Sequence, residues 1–190
     1  MRVASRLCAG LLLVVSATAA VHAGPAQSAA AGLVPGHFEL NGADGHTYTE
    51  RSFPDRWPLV FFGFTNCPDI CPTTLLAVRH ALDELGPAAA KVQPVFITLD
   101  PERDSADKLR DYLNHFGPMF MGLTGNERAI HDAARSFRVY LEVRSLSDDA
   151  YTVDHSAFLY LLAPDGHFVK LLSADAPGHQ LADALRDAVH

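Results

Sequence analysis

The stretch Trp57 to Leu75, WPLVFFGFTNCPDICPTTL, constrains this chain more than any other. Its apolar half, Leu59 to Phe64, shows no polar alternation and predicts a strand buried on both faces. The strand runs into Cys67 and Cys71, each followed by a proline, and a helix-compatible run extends from Thr73 to Leu85. The two thiols therefore stand where a strand hands over to a helix. Backbone N–H groups at a helix start are unpaired and the helix dipole is positive there, which favours thiolate over thiol. An exposed, chemically active pair of cysteines is the expectation.

The residues before this core predict where the thiols work. Arg2 and Arg6 form a basic start, Leu7 to Ala20 an apolar run, and Val21-His22-Ala23 a small-x-small cleavage site, so residues 1–23 read as a secretory signal peptide cleaved after Ala23. An uncleaved anchor is the alternative. It is disfavoured because the apolar run falls short of about 20 residues. Cys8 leaves with this segment, and two cysteines remain in an extracytoplasmic, periplasmic setting where disulfides persist. Two of the 15 basic residues leave as well, so the mature charge is 13 − 22 = −9. Such a surface repels phosphate backbones and anionic lipid, which excludes nucleic acid as a partner and argues against electrostatic membrane binding.

Residues 24–33, rich in Ala, Gly and Ser, read as a flexible tether, and residues 34–190 as one domain with a proper core. His37–Leu40 and His46–Thr49 flank the turn Ala43-Asp44-Gly45 and predict an N-terminal β-hairpin, an appendage ahead of the central strand. The first helix stops at Gly86-Pro87. Val92 to Leu99 is a second buried strand, in which Pro94 points to a strand start or an edge. Asp104 or Ser105 caps a helix that ends at Gly117-Pro118. Met119 to Leu123 reads as an edge strand, Asn126 to Phe137 as a third helix, and Val139–Val143 and Ala150–Val153 flank a polar loop. Phe158–Leu162 and Phe168–Leu172 are strands joined by Pro164-Asp165-Gly166, and Gln180 to Val189 is a last amphipathic helix. This order predicts an α/β, thioredoxin-like single domain: a mixed central sheet flanked by helices, with the hairpin at its N-terminal side.

Cys67 and Cys71 are four residues apart, so on a helical turn their Cα atoms lie about 6 Å apart, within disulfide range and within reach of one metal ion. Spacing does not choose between a redox dithiol and a thiolate metal site. An inert structural disulfide is the bland alternative, and a bridge closing so short a loop adds little stability. A metal site needs another ligand, and two thiolates restrict the ion to copper(I), zinc, or copper(II) where imidazole joins. Among ten histidines, His155 stands out. It precedes the Phe158–Leu162 strand, follows Asp154, which could orient its ring, and fills the place where disulfide oxidoreductases of this fold carry a cis-proline. Asp100, Glu102 and Asp104 resemble the opening of a calcium loop but lack its Gly and closing Glu, so strand-end and capping duty explains them. Asp69 reads as a favourable charge in the first helical turn.

Three blocks, FGFTNCPDICP from Phe62, LDPERD from Leu99 and VDHS from Val153, resemble those of the Sco/SenC family, thioredoxin-fold copper chaperones of cytochrome c oxidase assembly. Tyr160-Leu161 and Pro164-Asp165-Gly166 continue the resemblance from about Val34 to the end. It implies that Cys67, Cys71 and His155 bind one copper ion, Cu(I) or Cu(II), destined for the copper-receiving subunit of a respiratory oxidase. Another copper chaperone or a thioredoxin-like reductant would be a further partner, and the chain would act as a monomer. Asn66 departs from the family pattern, where His is frequent. Two other functions compete. One is an extracytoplasmic thiol–disulfide oxidoreductase acting through Cys67 and Cys71; the other is a peroxidase, for which no residue beside Cys67 has an obvious place to assist.

Overall fold

The computed structural model describes residues 36–147 and 150–189. The expected signal peptide, the expected tether, the expected domain start at Val34 and the tip of the expected polar loop lie outside them. Strands β1 (Glu39–Gly42) and β2 (Thr47–Thr49) form the expected hairpin, and β3 (Trp57–Gly63) is the expected central strand. Helix α1 (Ile70–Leu85) leads through a 3₁₀ segment over Gly86–Lys91 to β4 (Val92–Thr98). There follow α2 (Ala106–Asn114), β5 (Met121–Thr124) and α3 (Glu127–Ser136). The chain then runs through β6 (Leu141–Ser147), β7 (Ala150–His155), β8 (Phe158–Leu162), β9 (Phe168–Ser173) and α4 (Gly178–Arg186).

Seven strands make one sheet in the order β2-β1-β5-β4-β3-β8-β9, and β6 and β7 pair only with each other. Strands β3, β4 and β5 are parallel, whereas β8 runs antiparallel to β3. Alternate residues of β3 enter separate cores. Leu59 and Phe61 pack with Leu75, Val78 and Leu82 of α1 and Leu181 and Leu185 of α4, while Val60 and Phe62 pack with Ile130, Ala133 and Ala134 of α3. Both faces being covered is why the strand carries no polar alternation. Each such Leu or Phe contributes about 1.5–3 kcal/mol by leaving water. Helix α1 buries Cys71, Thr74, Leu75, Val78, Ala81, Leu82 and Leu85, a stripe at helical spacing, and Thr74 donates to the Ala174 carbonyl (2.9 Å), tying the helix to the β9–α4 turn.

Three expectations need correction. The N-terminal hairpin is no appendage, because β1 pairs antiparallel with β5 and extends the sheet. By the same pairing β5 is an inner strand rather than an edge. Pro94 lies inside β4, neither at its start nor on an edge strand; pairing with β5 begins one residue later, at Val95, so the missing N–H falls outside that ladder.

Candidate metal centre

Topology brings the sequence-predicted residues together. The parallel strands β3 and β4 end on the same side of the sheet, and β8 begins there because it runs the other way. Residues after β3 (Cys67, Cys71), after β4 (Asp100, Asp104) and before β8 (His155) therefore converge at the carboxyl ends of the strands, the usual ligand edge of an α/β sheet. Cys67 and Cys71 are free thiols. Cys71 Sγ lies 3.9 Å from His155 Nε2, across 84 residues of chain.

The two thiols differ. Helix α1 starts at Ile70, earlier than the helix-compatible run begins, so Cys71 falls in its first turn on the inward face and is fully buried, against the expectation of two exposed cysteines. Pro72, still in that turn, breaks no helical bond. Gly63 makes the burial feasible: a Cβ there would stand 2.8 Å from Cys71 Sγ and 3.0 Å from the Phe96 ring. Cys67 precedes the helix and is partly exposed. Its sulfur accepts the Cys71 N–H (3.4 Å). The Cys71 thiol, with help from the Asp69 and Cys71 amides and the nearby His155, holds Cys67 down to about 5. Cys71 is pushed far up, first by its bond to Cys67 and then by burial. Asp69 caps α1 without a side-chain bond, so its amide rather than its carboxylate serves the thiol.

His155 ends β7. Its Nδ1 faces the Ser156 carbonyl at 3.0 Å, which leaves Nε2 directed at Cys71. Asp154 does not orient the ring as expected; it pairs with Arg144 (2.9 Å). The rings of Phe61 and Phe64 stand edge-on to the imidazole, with centroids 6.3 and 6.2 Å away. A cavity of about 230 Å³ opens between Phe64, Cys67, Pro68, Ile70 and the Thr152–His155 stretch. Of the remaining histidines, His37, His46, His80, His131 and His167 each face a carboxylate, and His115 the Tyr112 carbonyl. In this conformation, among the described residues, no three His, Cys, Asp or Glu side chains are gathered closely enough to hold a metal ion.

Sequence reasoning missed the polar frame behind the thiols. Asp104 is no helix cap; Ser105 caps α2 by accepting from Lys108 N. Asp104 is instead fully buried and accepts from Thr65 N (2.9 Å), Thr65 Oγ1, Thr98 Oγ1 (2.9 Å) and Lys108 Nζ (3.2 Å), pinning the loop that carries Cys67 to the end of β4. Lys108 Nζ also reaches Asn66 Oδ1. The one clue in the sequence was the abrupt change from an apolar strand to LDPERD.

Comparison with known proteins gives the family and the fold. The SCO1/SenC family model matches residues 26–190. The chain is 39% identical over 167 residues to the mitochondrial protein SCO1 homolog 1 of Arabidopsis thaliana, covering 87% of this chain and 49% of that one. It is 39% identical over 156 residues to the SCO2-like protein RC0895 of Rickettsia conorii, covering 81% and 76% respectively. The chain thus spans about half the length of the plant relative and three quarters of the bacterial one. The crystal structure of Arabidopsis thaliana ScoI with copper bound superposes with a TM-score of 0.76 at 38% identity, over 81% of this chain and 96% of that one. With a family model matching residues 26–190 and a relative 39% identical over 87% of this chain, the chain belongs to the SCO1/SenC family.

Proposed function

We propose that this chain is a copper-binding metallochaperone that carries one copper ion between Cys67, Cys71 and His155 and delivers it to the copper-receiving subunit of a respiratory oxidase during cytochrome c oxidase assembly. The observation that carries the reading is the approach of Cys71 Sγ to His155 Nε2. With bonds of about 2.0 Å to nitrogen and 2.3 Å to sulfur, two ligands of one trigonal ion stand about 3.7 Å apart. The observed 3.9 Å is close to that separation. Cys67 completes the set by turning its sulfur out of its bonds to the Asp69 and Cys71 amides and over the cavity. Two thiolates suit copper(I), and a neutral imidazole allows copper(II). Copper bound in the Arabidopsis relative supports the choice of ion.

Binding requires both thiols reduced. Forming a Cys67–Cys71 disulfide from the Cys67 thiolate and the Cys71 thiol removes two electrons and one proton and leaves no thiolate for the metal, so carriage of copper and thiol oxidation exclude each other. A second reading, an extracytoplasmic thiol–disulfide oxidoreductase that reduces a partner's cysteines, is favoured by the same asymmetry: Cys67 is a thiolate at neutral pH and Cys71 a buried resolving thiol. We assign the domain to the periplasm as a monomer exported by residues 1–23, meeting there another copper chaperone or a thioredoxin-like reductant. Among the described residues no helix is long and apolar enough to cross a membrane.

Copper titration of the reduced protein tests the assignment. One equivalent retained by the wild type and none by Cys67→Ser supports it. No retained copper, together with rapid turnover of a disulfide substrate by metal-free protein, puts the oxidoreductase first.

A further inference from the structure

Strands β6 and β7, which carry His155, have no backbone ladder to the main sheet. A two-stranded ribbon is marginal by itself. Its apolar anchorage is limited: Val153 is buried and Leu141 and Tyr151 pack against the core, but Val143 and Leu146 are 60% and 69% exposed. A polar fastening from the segment after β4 adds to it. The buried Asp100 carboxylate accepts the Tyr151 hydroxyl on Oδ1 (2.7 Å) and the Arg103 Nε–H on Oδ2. Arg103 also donates from Nη1 to the Tyr151 carbonyl (3.2 Å), and its guanidinium carbon lies 3.7 Å from the centre of the Tyr151 ring. The Asp100 amide donates to Thr98 Oγ1, whose own hydroxyl donates to Asp104. The Asp100 amide thus borders the frame that holds the thiol loop, while its carboxylate serves the ribbon latch.

Tyr151 and His155 are four residues apart on β7, and side chains at that spacing share a face of a strand. Holding the Tyr151 ring holds the strand that carries the imidazole, and just past the end of that strand Ser156 also bonds to Tyr140.

We propose that Asp100, Arg103 and Tyr151 are positioning residues: a latch that sets where His155 stands relative to the cysteines, separately from the Asp104 frame that sets the cysteines themselves. The copper consequences rest on the metallochaperone reading; the placement of the imidazole does not. Partial burial and the Asp100 bond push the Tyr151 hydroxyl up to about 12, so it remains a donor throughout the physiological range. Lysine cannot replace Arg103, since a single ammonium cannot bond to a carboxylate and a carbonyl while stacking on a ring.

The test uses the full chain, reduced, as wild type, Tyr151→Phe and Arg103→Lys. Tyr151→Phe keeps the ring and its stack and removes only the hydroxyl, so folding is retained. In metal-free protein, amide hydrogen exchange over residues 141–155 is expected to quicken about tenfold in both variants, as loss of a bond to a charged group implies. Amides of β3 and α1 keep wild-type rates, and the His155 ring proton signals shift. With copper, affinity for copper(II) falls about 10- to 100-fold, the usual cost of losing a group that orients a ligand, while copper(I), held chiefly by the two thiolates, loses less. Unchanged exchange and unchanged His155 signals overturn the latch, as does a rise in exchange spread evenly over all strands. Equal loss of copper(I) and copper(II) affinity also overturns it. Wild type that binds neither ion sinks the metallochaperone reading alone, and the two metal-free readouts then decide the latch.

Discussion

The two halves of the candidate site are held by different physics. The thiol half is local: Cys67 and Cys71 are joined through the first turn of α1, Cys71 is sealed against β3 and the Phe96 ring, and Asp104 locks the loop from behind. The imidazole half is remote: His155 arrives 84 residues later on a ribbon outside the main sheet, fastened by one polar cluster and a little apolar surface. On the proposed reading, the soft-ligand half suits copper(I) and the imidazole, as an adjustable third ligand, adds copper(II). One can be changed with little effect on the other, which makes the division testable.

The largest effects should separate the halves directly. Cys71→Ser is expected to abolish retention of both copper oxidation states, measured by metal-to-protein stoichiometry after desalting. His155→Ala is expected to leave copper(I) bound and to weaken copper(II) by roughly 100-fold or more, beyond the cost of losing an orienting partner. Equal losses in the two variants would erase the division. Next comes Gly63→Ala, which forces a methyl group against Cys71 Sγ and Phe96. It should cost about 1–3 kcal/mol in denaturant unfolding, as overpacking of a filled core does, and disturb the thiol half alone.

A smaller effect concerns pH. Cys67 in the folded, reduced, metal-free protein is held down to about 5, first by the Cys71 thiol. Alkylation of Cys67 should therefore be half-maximal near pH 5 rather than near the free-thiol value of about 8.5. The sign for stability follows. A folded-state value below the unfolded one stabilises the fold at pH above the unfolded value, and that contribution is lost as pH falls through about 5. Cys67→Ser should remove this part of the pH dependence. The smallest effect is expected from Arg144→Ala, which breaks only the exposed pair with Asp154. Its cost should be about 0–1 kcal/mol, with His155 still placed by Ser156 and the latch.

Much of this was legible because it depends on short stretches of chain. The buried strand at Trp57–Gly63, the helix after it, the Pro164-Asp165-Gly166 hairpin and the order of elements all follow from local pattern and turn chemistry. His155 was legible only once β8 was set beside β3, a step that needs the fold. What escaped reading depends on contacts far apart in sequence. Asp104 looks like a cap beside Ser105, and only the arrival of Thr65, 39 residues earlier, makes it a buried acceptor. Asp100 looks like a strand stop until Tyr151 reaches it from 51 residues later. Burial of Cys71 rests on the missing side chain of Gly63 and on α1 starting at Ile70, and neither is written in the spacing of two cysteines.

The central claim is that two sulfurs and one imidazole meet on one ion. X-ray absorption of the copper(II)-loaded protein tests it most directly. The account predicts two sulfur neighbours at about 2.3 Å and at least one imidazole nitrogen at about 2.0 Å, the nitrogen lost in His155→Ala. A wild-type spectrum with no imidazole scattering, or one that His155→Ala leaves unchanged, would contradict it.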